Sequence, residues 1–156
     1  HRRRPPRRAS IRPVRYWDSS AIVPLLVEQE PSVAVRAAYD ADPEIVTWWG
    51  SSLECMSALA RLEREAWLSP SAMRLAAERL DGLEQSWAEV APSDAVRAMA
   101  ARLVRVHPLR AGDALQLASA LRASESHPST LAVVTLDERL ALAAEREGLR
   151  LVAPGR

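Results

Sequence analysis

The sequence has one cysteine and no lysine, asparagine or phenylalanine among its 156 residues. A single thiol excludes an intrachain disulfide and a thiolate metal cluster, and Cys55 beside Met56 is predicted to be a small core residue. The apolar runs are too short to span a bilayer, and no signal-peptide pattern opens the chain. These absences predict a cytoplasmic protein with no membrane association.

Motifs of several common enzyme classes are also missing. No Walker loop, GxGxxG, GxSxG or CxxC pattern occurs in the chain. Interpretations as a nucleotide-cofactor enzyme or as a serine hydrolase therefore have no support. His107 and His127 each precede a proline and have no acid or hydroxyl at a telling spacing, so neither is assigned a catalytic role.

The net charge of +1 conceals an uneven distribution of charge along the chain. Residues 1–15 carry seven of the 21 basic residues and no acid, whereas the rest of the chain has 14 arginines against 20 acids. Such an arginine run is typical of a nucleic-acid-binding segment or of a flexible tail, and its low hydrophobicity favours the tail. We therefore predict a flexible tail over 1–13 and a single domain over 14–156.

Short β-like runs alternate with longer helical patterns along this domain. Strands are predicted at 14–17, 44–48, 87–91, 131–135 and 149–153. Helices are predicted near 20–28, 32–40, 51–67, 70–85, 93–106, 110–123 and 137–147. Strands separated by helices predict βαβ units, and hence an α/β fold whose doubly wound parallel sheet is covered by helices on both faces.

Four acidic residues fall where predicted strands end or predicted helices begin. Asp18 follows the first strand directly, and Asp137 follows the fourth strand with one residue between them. Glu54 and Asp113 lie in the first turns of two helices, and the helix after Asp113 is apolar or small except at Gln116 and Ser119. Ligands bind such sheets at the carboxyl ends of the strands. A group of carboxylates there, without His or Cys, is suited to Mg²⁺ or Mn²⁺.

Helix capping offers a different explanation for each of these acids. Asp18 could cap the helix that follows it, and Asp113 and Asp137 lie where the helix dipole favours a negative charge. Glu54 is spaced to form a capping box with Ser51, as Glu138 is with Thr135. Caps do not require a common edge, however, and clustered carboxylates repel one another without a cation. The shared location therefore favours a metal site.

Four segments of the chain, 16–32, 51–61, 109–121 and 133–152, resemble in order and spacing the motifs of PIN-domain ribonucleases, and in particular the VapC toxins of toxin–antitoxin modules. The resemblance implies a three-layer α/β/α domain whose five parallel strands are ordered 3-2-1-4-5. It places the acidic quartet of the family on Asp18, Glu54, Asp113 and Asp137, as catalytic residues and metal ligands. It also matches Ser20 and Thr135 to residues that support the site.

The resemblance further implies an endoribonuclease that uses Mg²⁺ or Mn²⁺, with Asp18 and Asp113 as direct ligands. Glu54 and Asp137 would bind the ion directly or through water, and Arg110, one turn before Asp113, is a candidate phosphate contact. The implied partners are an RNA substrate, a cognate antitoxin and a second copy of the chain. Two alternatives remain open at this point, namely an RNA-processing nuclease that is not a toxin and an inactive interaction domain.

Overall fold

The computed structural model describes residues 13–127, 130–152 and 154. The predicted arginine-rich tail over 1–13 lies, apart from Pro13, outside the described residues. Among the described residues, no helix is both long enough and apolar enough to cross a membrane.

The described strands form a single parallel sheet with the order β3-β2-β1-β4-β5. The predicted α/β architecture and strand order are therefore confirmed. Strand β1 lies at the centre and pairs with β4 from Val14 opposite Leu131 to Trp17 opposite Val134. The bounds of the strands are β1 (Val14–Trp17), β2 (Val46–Trp48), β3 (Ala88–Val90), β4 (Leu131–Val134) and β5 (Arg150–Val152).

The helices connect these strands in the predicted order. Their bounds are α1 (Ser19–Leu26), α2 (Ser32–Ala41), α3 (Ser51–Arg64), α4 (Pro70–Glu84), α5 (Asp94–Val106), α6 (Ala111–Ser126) and α7 (Glu138–Arg146). Helix α6 continues three residues beyond the predicted end at 123. Helix α3 stops three residues before the predicted end at 67, because Ala66 adopts a left-handed conformation (φ 61°) and Trp67 N donates to Leu62 O.

The side chains of β1 point alternately to the two faces of the sheet, and each face is covered by its own helices. Tyr16 packs into a core built with α5, α6 and α7, whereas Trp17 packs into a core built with α1, α2, α3 and α4. Both residues are fully buried. Cys55 lies in the second core, and burial raises the pKa of its thiol, as expected for a structural cysteine. The sheet is thus covered on both sides, and only its edges and ends are available for a site.

Candidate active site

An open cleft of about 630 Å³ lies where the chain passes from the strands into the helices. Three of the four predicted acids line it, and they come from the first turns of α3 and α6 and from the residue before α7. Arg110, the predicted phosphate contact, also lines the cleft, as do the charged residues Glu138 and Arg139. The complete lining is Glu54, Arg110, Gly112, Asp113, Asp137, Glu138 and Arg139.

Asp18 directly follows β1, at the carboxyl end of the central strand, and is only 3% exposed. Its carboxylate accepts a hydrogen bond from Ser20 Oγ at 2.8 Å, but it makes no capping hydrogen bond to α1. Asp18 occupies the N-cap position of α1, as the cap explanation predicts, but without the capping hydrogen bond. Burial, with a smaller contribution from the charge of Asp137, raises the pKa of Asp18 to about 7. A carboxylate in this position is poorly solvated and would be stabilised by a neighbouring cation.

Two hydroxyl groups connect Asp18 with the loop that carries Asp137. Ser20 Oγ lies 3.3 Å from Thr135 Oγ1 and accepts from Leu136 N at 3.0 Å. Thr135 Oγ1 in turn accepts from Asp137 N at 3.1 Å. The ends of β1 and β4 are also joined directly, because Asp18 N donates to Val134 O. These contacts hold the two acids on adjacent strand ends.

Glu54 is held by contacts from outside its own helix. Its Oε2 atom accepts from Ser19 Oγ at 2.7 Å and from Gln116 Nε2 at 2.9 Å. The residue at the N-cap of α3 is Gly50, and α3 has no side-chain cap. The predicted capping box between Ser51 and Glu54 is therefore wrong, since tertiary contacts have replaced the local one.

Capping accounts for the position of Asp137 but not for that of Asp113. Asp137 caps α7, because its Oδ1 accepts from Leu140 N at 2.8 Å, so the capping box predicted between Thr135 and Glu138 is wrong. Asp113 lies in the first turn of α6 but does not occupy the N-cap, which is Arg110. Burial raises the pKa of Asp113, and the charge of Asp137 raises it further.

The residues around the cleft fit a divalent cation in their chemistry. All the acidic donors are carboxylate oxygens, and burial and mutual repulsion raise the pKa values of Asp18 and Asp113. In the part of the chain that the structure describes, no three His, Cys, Asp or Glu side chains converge as a preassembled metal cage. The fit thus rests on the donor set and its electrostatics.

Several residues at the site are absent from the sequence-based prediction. Gln116 and Ser19 donate hydrogen bonds to Glu54, and Arg139 lines the cleft. Gln116 did leave a signal, because it is the one long polar side chain in an otherwise apolar helical stretch. Ser19 and Arg139 left none, since their contacts depend on how the helices pack.

The fold and the cleft together define a three-layer α/β/α domain with a carboxylate-rich site at the switch point of a parallel sheet. The family model named "PIN domain" matches residues 15–146. The chain therefore belongs to the PIN-domain family, as the sequence motifs indicate.

Two curated relatives extend this match over nearly the whole chain. Ribonuclease VapC45 of Mycobacterium tuberculosis (strain CDC 1551 / Oshkosh) is 34% identical over 145 residues, which cover 91% of this chain and 96% of the relative. Ribonuclease VapC49 of Mycobacterium tuberculosis (strain ATCC 25618 / H37Rv) matches with the same identity and coverage.

Solved structures share the fold at lower sequence identity. FitAcB from Neisseria gonorrhoeae is similar with a TM-score of 0.66 and 19% identity, covering 90% of this chain and 98% of that one. A toxin–antitoxin complex from Klebsiella pneumoniae is similar with a TM-score of 0.54 and 16% identity, covering 89% and 96%. These likenesses support the PIN-type fold of the described residues.

Proposed function

We propose that this protein is a metal-dependent endoribonuclease that hydrolyses RNA phosphodiesters and acts as the toxin of a toxin–antitoxin pair. The observation that carries the proposal is the cleft that Glu54, Asp113 and Asp137 line at the end of the sheet where the buried Asp18 follows β1. The names of the relatives support ribonuclease activity, and the solved toxin–antitoxin complex supports the toxin role. The proposal takes residues 14–156 as one nuclease domain that acts on RNA in the cytoplasm.

The buried Asp18 and the acids of the cleft would hold the cation, with Asp18 and Asp113 as its direct ligands. A bound Mg²⁺ or Mn²⁺ supplies activation of the attacking water and stabilisation of the leaving oxygen. Glu54 and Asp137 complete the set, and hydrogen bonds fix one oxygen of each. Their fixed orientations favour catalysis because Mg²⁺ requires near-octahedral geometry.

The basic residues of the cleft would bind the RNA backbone. Arg110 and Arg139 line the same cleft as the acids, and Arg110 lies close enough to offset part of the increase in the pKa of Asp113 that burial causes. Guanidinium groups form paired hydrogen bonds with phosphate oxygens, which positions the backbone without reading its sequence. Without a cation, the carboxylates would repel the phosphate, so both the metal and the arginines are needed for binding.

Cleavage of RNA by the purified protein tests the enzymatic part of this proposal. We expect structured RNA to be cut in the presence of Mg²⁺ or Mn²⁺ and left intact in EDTA. By resemblance to the family, the products would carry a 5′ phosphate and a 3′ hydroxyl. Equal cleavage in EDTA and in Mg²⁺ would contradict a metal-dependent mechanism, and no cleavage under any condition would favour an interaction domain.

Exposed apolar residues on α2, on α3 and in the loop after α3 support an antitoxin partner. In α1 and α3, the apolar residues Val23, Leu26 and Leu59 are buried in the core. Three others are exposed, at 70% for Val33, 74% for Leu53 and 77% for Trp67. We propose that these three residues belong to one surface, which an antitoxin segment covers. The segment would extend a basic side chain along α3 to Glu54. Glu54 also lines a second groove, together with Leu53, Arg61 and Arg64.

Coexpression with the product of an adjacent upstream gene tests the toxin role. We expect Trp67→Ser to weaken the complex, measured by size-exclusion chromatography with light scattering. Val106→Ser is the matched control, because Val106 is 59% exposed at the end of α5, away from the proposed surface. A stable complex with the Trp67 variant would place the antitoxin elsewhere. The same measurement on the toxin alone tests the proposed homodimer.

A further inference from the structure

Gln116 is a buried polar residue of α6 that connects the core to the cleft. Its side chain is 1% exposed, and it contacts residues from two other elements, β1 and α3. Tyr16 OH lies 2.6 Å from Gln116 Oε1, and Gln116 Nε2 lies 2.9 Å from both Ser51 Oγ and Glu54 Oε2. Every polar atom of the amide therefore has a partner within the protein.

The partners of Gln116 determine which way its amide faces. The Tyr16 phenol donates its hydrogen to Gln116 Oε1. The amide nitrogen then faces Ser51 and Glu54, and its two hydrogens are directed to these two oxygens. Ser51 is itself held, because its Oγ lies 2.6 Å from Thr47 Oγ1.

The two oxygens of Glu54 consequently have different environments. Oε2 accepts from both Gln116 and Ser19, and these hydrogen bonds fix the orientation of the carboxylate. Oε1 lies beside Gly112, where a Cβ atom would approach to 3.3 Å, closer than ordinary van der Waals contact. Both Glu54 and Gly112 line the cleft. The absence of a side chain at residue 112 thus leaves room for Oε1.

We infer that Gln116 is a positioning residue for the metal-dependent reaction, which anchors one oxygen of Glu54 and so directs the other toward the cation in the cleft. This inference rests on the proposed function. Gln116 does not contact the cleft itself and acts through Glu54. Groups that orient metal ligands in this way contribute about 10–100-fold to metal affinity or activity.

The test compares Mn²⁺ binding and RNA cleavage by variants of the full chain. Gln116→Met removes both donors while keeping the length of the side chain, and Gln116→Glu keeps an acceptor for Tyr16 but offers Glu54 a carboxylate. Leu117→Met is the matched control, because Leu117 is equally buried in α6 (1% exposed) and belongs to the apolar core. Mn²⁺ affinity of the metal-free protein is measured by calorimetric titration, alongside kcat and KM.

We expect both Gln116 variants to bind Mn²⁺ roughly 10–100-fold more weakly than wild type, and kcat to fall by a similar factor. At saturating Mn²⁺, KM for RNA should remain near that of wild type, because the metal site is then filled and the arginines are unchanged. Leu117→Met should leave all three quantities close to wild type.

Three outcomes would overturn the inference, and they are distinguishable. Wild-type Mn²⁺ affinity in both Gln116 variants would contradict the positioning role alone. Unfolding of both variants, while Leu117→Met folds, would make Gln116 a structural residue. A wild-type protein that binds no Mn²⁺ and cuts no RNA would overturn the proposed function as well.

Discussion

Ser20 Oγ donates a hydrogen bond to Asp18 Oδ1 at 2.8 Å. In a helix cap, the donor would instead be a backbone N–H group of α1, and the carboxylate makes no such capping bond. The same hydroxyl accepts from Leu136 N, on the loop after β4. Ser20 thus joins Asp18, at the start of α1, to the loop that carries Asp137. A carboxylate that is buried, makes no capping hydrogen bond and lies near another acid is suited to metal binding more than to stabilising the fold.

Substitution of single acids should separate catalysis from stability. We expect Asp18→Asn and Asp113→Asn each to lower the rate of RNA cleavage by about 1000-fold or more, because metal-ion stabilisation of the transition state contributes several kcal/mol. The fold should persist, since Asn has nearly the same shape as Asp and removes a repelling charge. Cleavage rates and circular dichroism spectra are the measurements.

Asp94→Asn is the control for these two variants, because Asp94 is an exposed acid on α5 whose side chain pairs with Arg97. It should cut RNA at the wild-type rate. If the Asp18 and Asp113 variants do so as well, the acids are not catalytic. If they unfold, the acids are structural.

The stability of the metal-free protein should depend on pH through Asp18. Its pKa is raised to about 7 in the folded state, whereas an unfolded Asp releases its proton near pH 4. Between these values the folded state binds more protons than the unfolded state, so the free energy of unfolding falls as pH rises from about 4 to 7. The contribution of this group should then level off above pH 7.

Comparison with Asp18→Asn isolates this effect from the titration of other carboxylates. In EDTA, the variant should gain stability relative to wild type as pH rises from 5 to 7, by up to about 1.4 kcal/mol per pH unit. Denaturant unfolding at several pH values measures the difference. A constant difference over this range would show that Asp18 titrates at an ordinary pKa.

Divalent metal should stabilise the folded protein if the acids form one binding site. At a metal concentration a hundredfold above Kd, the gain in unfolding free energy is about 2.7 kcal/mol, since the metal has no preassembled site in the unfolded chain. For a domain of this size, that gain raises Tm by several degrees. Thermal melts in EDTA, Mg²⁺ and Mn²⁺ provide the measurement.

The same melts on Asp113→Asn and Asp94→Asn assign the effect to the cleft. The rise in Tm should shrink in the first variant and persist in the second. Identical melting points of the wild type in all three solutions would contradict a shared metal site.

Arg110 should contribute to RNA binding and not to metal binding. We expect Arg110→Ala to raise KM for RNA and to reduce the slope of log affinity against log salt concentration by about 0.7, the value for one phosphate contact on a single strand. Mn²⁺ affinity should change little. Arg122→Ala is the control, because Arg122 lies further along α6 and pairs with Glu125. An unchanged salt slope for the Arg110 variant would exclude it as a phosphate contact.

The sequence by itself determined the order of the elements and the edge at which the acids lie. Pro and Gly mark most element boundaries, and short β-branched runs alternate with helical periods, so local patterns sufficed to predict the parallel sheet. Because carboxyl ends of parallel strands share one edge, the positions of Asp18 and Asp137 followed from the strand predictions alone. The buried character of α6 after Asp113 was equally evident from its composition.

Only the tertiary structure decided what the side chains contact. Tyr16 and Gln116 are separated by 100 residues and Ser19 and Glu54 by 35, and their hydrogen bonds arise from the packing of helices against the sheet. Local patterns suggested caps for Asp18 and Glu54, because capping is the contact available within one helix turn. His107, which had no evident partner in the sequence, pairs with Glu147 at 2.9 Å across 40 residues. Periodicity predicts which face of an element is buried, whereas the packing of the elements determines which buried faces contact each other.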